Sequence, residues 1–68
     1  MKNFYSIADV MELLDVSRST AHKRIVAMNK ELTEQGYYAE RGKVPIPLFY
    51  EKYPYLKREE KDSISNSF

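Results

Sequence analysis

Ile7, Val10, Met11 and Leu14 fall at i, i+3, i+4 and i+7, which lines one face of a helix at about 3.6 residues per turn. Ser6 just before them suits an N-cap, and Asp9 three positions on completes a near-variant of the capping box. The pattern breaks at Asp15-Val16-Ser17. Ser17 can cap again, and Ala21, Ile25, Met28 and Leu32 then recur at steps of 4, 3 and 4, predicting a longer amphipathic helix. Gly36 supplies a residue able to take the left-handed conformation that ends it.

From Tyr37 the character changes. Tyr37-Tyr38-Ala39 and Val44 flank Glu40-Arg41-Gly42-Lys43, so strand formers on either side of a Gly-containing turn predict a small β-hairpin. Pro45 and Pro47 rule out a long return strand. Pro47 suits the first turn of a short third helix carrying Leu48, Phe49, Lys52 and Tyr53, and Pro54 ends it. The expected fold is therefore mainly α with a small β-hairpin: a winged helix-turn-helix, with a two-stranded wing and a short third helix. It spans residues 1–56, and residues 57–68 are expected to be a flexible, charged and Ser-rich tail.

Composition narrows the function. The chain has 68 residues, 43% of them apolar, with six Tyr and three Phe to close a small core. It has no Cys and one His, so neither a disulfide framework nor a thiolate or imidazole metal site is expected. No apolar run approaches the ~18 residues of a membrane span, and no signal-peptide core opens the chain. These features predict a cytoplasmic, nucleoid-associated protein without catalytic residues, cofactor, metal or membrane partner. A domain this small offers no deep pocket to shift a carboxylate's pKa.

The net charge of +1 hides a segregation. Residues 16–30 carry Arg18, Lys23, Arg24 and Lys30 without an acid, whereas residues 9–15 carry Asp9, Glu12 and Asp15 without a base. A local basic stripe on a near-neutral chain fits a module that meets a polyanion through one face. The second helix opens with Ser17, Arg18, Ser19, Thr20, His22 and Lys23. Arginine and lysine reach guanine O6 and N7 or phosphate, and short hydroxyls bond phosphate close to the backbone. Arg24 and Lys30 could reach the flanking backbone. Arg41 and Lys43 beside Gly42 give the wing two cations for the minor groove. Each feature has a plainer reading as a solvated face, an ordinary polar turn or a simple cap. The DNA-binding reading rests on their occurring together, in this order.

The stretch SIADVMELLDVSRSTAHKRI resembles the helix-turn-helix of excisionases and related winged regulators of the MerR-like superfamily. Met11 stands where that pattern usually has Ala, and Asp15 where it has Gly, although Asp tolerates a left-handed position better than most residues. The run NKELTEQGYYAERGKVPIPLFYEKY is similar to small excisionases of integrative elements and prophages in Gram-positive bacteria. The matching positions are Asn29, Glu31, Leu32, Gly36, Gly42, Lys43, Val44, Pro45, Phe49, Glu51 and Tyr53. Pro47 and Leu48 depart from the basic and Tyr residues usual there, which weakens a DNA contact from the third helix. The resemblance covers about residues 4–55. It implies a recombination directionality factor that binds and bends double-stranded attachment-site DNA and favours integrase-mediated excision. Its implied partners are DNA and an integrase or recombinase. A chain this small is also expected to load cooperatively on adjacent sites, through its tail or its Tyr-rich third helix. A transcriptional regulator of a phage or mobile element on the same fold is an open alternative. A protein-interaction module, such as an antirepressor, is a more distant one.

Overall fold

A computed structural model describes residues 2–56; the expected tail, 57–68, lies outside the described residues. Five elements follow in order: β1 (Phe4–Ser6), α1 (Ile7–Leu14), α2 (Arg18–Glu34), β2 (Lys43–Pro45) and α3 (Ile46–Lys52). The described residues are thus mostly helical, with three helices and one two-stranded antiparallel sheet.

Local chemistry sets the helix limits. Ser6 caps α1: its Oγ accepts from the Asp9 amide at 3.2 Å, and Asp9 Oδ2 accepts from the Ser6 amide at 2.9 Å. The capping box thus forms with Asp at its third position. The Ser6 amide, helped by Lys2 Nζ at 3.0 Å, holds the Asp9 carboxyl below the usual carboxylate range. A depressed carboxylate strengthens the fold above its ordinary range, and that contribution fades as acid protonates it.

α1 ends because Asp15 turns left-handed, at φ 58° and ψ 51°. Its amide and that of Val16 both donate to the Met11 carbonyl. Asp15→Gly is expected to raise stability by up to about 1 kcal/mol. It relieves the left-handed strain and removes a carboxylate from the negative end of α1, which together outweigh glycine's larger unfolded-state entropy. Urea unfolding checks this, and a lower midpoint would contradict it.

Ser17 caps α2 by accepting from the Thr20 amide at 3.3 Å. At the other end the Tyr37 amide reaches the Leu32 carbonyl at 2.8 Å and the Gly36 amide reaches Thr33 at 3.0 Å. With Gly36 at φ 89°, this is the paired bonding of a Schellman motif.

The sheet departs from the expected hairpin. β2 pairs not with residues 37–39 but with β1, in the register Phe4↔Pro45, Tyr5↔Val44 and Ser6↔Lys43. Tyr37 to Glu40 form no strand. The reason lies in burial. Pairing with β1 sets Tyr5 (2% exposed) beside Val44 (0%), both inside, whereas Tyr37 and Tyr38 stay 62% and 95% exposed. Burying two strand residues back to back outweighs a shorter loop.

The core consists of Tyr5, Val10, Ala21, Ile25, Met28, Val44, Ile46 and Phe49. Leu32, expected on the buried stripe of α2, is only half-buried, because it lies where the helix is leaving the core. Ala21, wholly buried, lets α1 and α2 approach closely. Pro45 is the N-cap of α3, which carries Pro47 in its first turn. Its Phe49 packs edge-on against Tyr5 and Tyr50 at centroid distances of 5.3 and 5.1 Å. The Tyr5 and Tyr50 hydroxyls meet at 2.9 Å, so the half-buried ring keeps its polar end satisfied. Among the described residues no helix is long and apolar enough to cross a membrane.

Candidate nucleic-acid interface

α2 advances about 100° per residue, and its buried residues Ala21, Ile25 and Met28 fix which side faces out. Opposite them runs a stripe of Ser19, Lys23, Val26, Lys30 and Thr33, all exposed. Arg18 and His22, also exposed, lie beside this stripe on the Asn29 flank. No carboxylate interrupts it before Glu34.

Arg24 is placed differently. By the same periodicity it falls on the opposite flank, in line with Glu31 two turns on. Glu31 takes an ion pair from Lys52 of α3 at 2.7 Å, and that bond raises the Lys52 ammonium above its ordinary range. Arg24 therefore sits on the α3 side of the helix, away from Lys23 and Lys30.

The three hydroxyls at the start of α2 largely serve one another. Ser17 Oγ, besides accepting from the Thr20 amide, donates to Thr20 Oγ1 at 3.2 Å and lies 3.4 Å from Ser19 Oγ. Ser17 and Thr20 thus act first as the helix cap, and Ser19, fully on the outer stripe, is the more available of the three.

The second basic group stands beside the helix. Residues 40–43 form a turn closed by the Lys43 amide on the Glu40 carbonyl at 3.3 Å, with Gly42 at φ 74°. Arg41 and Lys43 are exposed on it. α2 holds this turn directly: Asn29 Nδ2 donates to the carbonyls of Glu40 at 3.0 Å and Lys43 at 2.8 Å. The structure thus brings Ser19, Lys23 and Lys30 onto the outward side of α2, sets Arg18 and His22 at its edge on the Asn29 flank where the Arg41–Gly42–Lys43 turn is held, and leaves Arg24 on the opposite flank. Of the two ion pairs among the described residues, Lys52–Glu31 lies on the α3 flank of α2, whereas Lys2–Asp9 lines a shallow surface cavity together with Lys43.

Sequence patterning misses two members of this surface. Val26 is 52% exposed at the centre of the stripe; its signal is an apolar residue out of phase with Ala21, Ile25 and Met28. The Asn29 clamp has no local signature, since its partners lie in a later loop. The exposed rings of Tyr37 and Tyr38 extend the same loop, whereas Tyr50 and Tyr53 pack on the core and Tyr55 stays largely exposed. No family model, curated protein or solved structure matches the chain.

Proposed function

We propose that this chain is a winged helix-turn-helix protein that binds double-stranded DNA and acts as an excisionase, bending attachment-site DNA so that an integrase excises its element. α1 and α2 would be the helix-turn-helix, and the loop between α2 and β2 the wing, its return strand tied to β1. The observation that carries the reading is the exposed, acid-free stripe of α2 continued by the Arg41–Lys43 turn. A surface of this kind suits a polyanion whose phosphates are spaced along a groove.

In this reading Arg18, Ser19, His22 and Lys23 enter the major groove, as N-terminal residues of a recognition helix do. Lys30 grips the flanking backbone, and Arg41 and Lys43 follow the minor groove. Val26, between Lys23 and Lys30, is suited to an apolar contact such as a thymine methyl group. No step here makes or breaks a covalent bond; the work is binding and bending.

The test is a titration of the full chain against duplexes from the attachment arms and promoters of its element, at several salt concentrations. With four phosphates neutralised, log affinity should fall against log salt with a slope of about −3.6, or roughly 150-fold per fourfold rise in salt. Stepwise, salt-sensitive shifts on arm DNA support the excisionase. A shift confined to promoter DNA makes the protein a transcriptional regulator. A folded chain that binds no duplex specifically leaves only a protein-interaction module.

A further inference from the structure

We infer that Asn29 is the positioning residue of the interface: it sets where the Arg41–Gly42 tip stands relative to α2 without touching DNA itself. The inference rests on the DNA-binding reading above and deepens it. One amide nitrogen donates to both ends of the turn, the Glu40 carbonyl at 3.0 Å and the Lys43 carbonyl at 2.8 Å. The same Glu40 carbonyl accepts the Lys43 amide that closes the turn. Both protons of a single planar group are thus spent on two carbonyls, and the tip between them has little freedom left.

The side chain's other end supports a positioning role. Asn29 Oδ1 is buried and has no hydrogen-bond partner among the described residues. A buried acceptor left unmet is costly, so the orientation holds because the two carbonyls can only accept and the nitrogen must face them. An oxygen so enclosed cannot receive a bond from a base or sugar, and the nitrogen's protons are already committed. Asn29 therefore acts through Arg41 and Lys43. The residue type is closely specified: Asp would set a carboxylate oxygen against two carbonyls, Gln is one methylene too long, and an apolar residue leaves both carbonyls without this donor.

Two measurements separate this inference from the reading it rests on. Without DNA, amide exchange at Lys43 should be about tenfold faster in Asn29→Ala and Asn29→Asp, while amides of α1 keep wild-type protection. An unchanged Lys43 rate overturns the clamp, whether or not the protein binds DNA. On a specific duplex, if wild type binds one, Asn29→Ala should weaken binding about fivefold in the wild-type background and less than about twofold when Arg41 and Lys43 are already Ala. General loosening of the fold would cost the same in both backgrounds, so additive losses overturn the positioning role. Failure of the wild-type chain to bind DNA overturns the underlying reading and with it any role of Asn29 in binding, and the exchange rates then report on the clamp alone.

Discussion

Phe49→Ala is expected to leave most of the chain unfolded in dilute buffer at room temperature. Phe49 is wholly buried and is the largest side chain to be so. Its ring lies edge-on to Tyr5 and Tyr50 and tilted against Tyr53, with a centroid distance of 4.9 Å to the last. Truncating such a ring costs about 3–5 kcal/mol, from lost transfer energy and the cavity left behind. A core in a chain this short rarely supplies more than about 3–5 kcal/mol in total, so the deletion takes most of what there is. The effect reaches beyond α3. Tyr5 belongs to β1 and Val44 to β2, so the ring that joins them to α3 also holds the sheet and, through it, the 40–43 turn. Circular dichroism and urea unfolding measure this directly. Tyr55→Ala, at a ring 76% exposed, should shift stability by less than about 0.5 kcal/mol. A Phe49→Ala protein with a cooperative transition near the wild-type midpoint would show that the aromatic cluster is not the centre of the fold.

The parts of this molecule that are legible in its sequence are those decided locally. The helix starts at Ser6 and Ser17 and the helix end at Gly36 follow from caps whose partners lie within a few residues, whereas the left-handed turn at Asp15 is expected only through the resemblance, which usually has Gly there. The apolar stripe of α2 is legible through Met28 because it repeats over several turns. What escapes is what pairs at a distance. β1 has three residues, too few to show an alternation, and it competes for Val44 with Tyr37 and Tyr38, which have as strong a strand preference and lie nearer. Nothing in their local pattern says that Tyr5, rather than Tyr38, is the ring that Phe49 covers. The candidate interface divides in the same way. The basic first turn of α2 is read from the spacing of Arg18, Ser19, His22 and Lys23. The distinction between Lys23 and Arg24, adjacent in the chain, needs only the helical angle once the buried stripe is fixed. The attachment of the Arg41 turn to Asn29 needs the folded loop, because the contact is made to main-chain carbonyls that carry no sequence signature.

That angular distinction gives the interface its sharpest test. The Arg18→Ala/Lys23→Ala protein is expected to fold as the wild type, since both side chains are exposed, and to lose about 2–4 kcal/mol of specific DNA affinity, roughly 30- to 1000-fold. The two residues should contribute differently. An arginine reading a base edge carries about 1–3 kcal/mol and its loss blurs discrimination at one position. A lysine on phosphate weakens binding to every duplex alike, and its removal should flatten the salt slope by about 0.9. Arg24→Ala removes the same unit charge from the neighbouring position but from the flank beside Glu31 and α3, so it should cost less than about threefold. Titrations of the three proteins on specific and unrelated duplexes, at matched salt, decide the matter. If Arg24→Ala weakens binding as much as Lys23→Ala, net charge rather than the outward stripe of α2 governs the contact, and the recognition-helix assignment fails. If Arg18 and Lys23 matter and Arg24 does not, and Arg18→Ala alone relaxes sequence preference, then α2 is reading DNA with its outward stripe and the flank that carries the Arg41 turn.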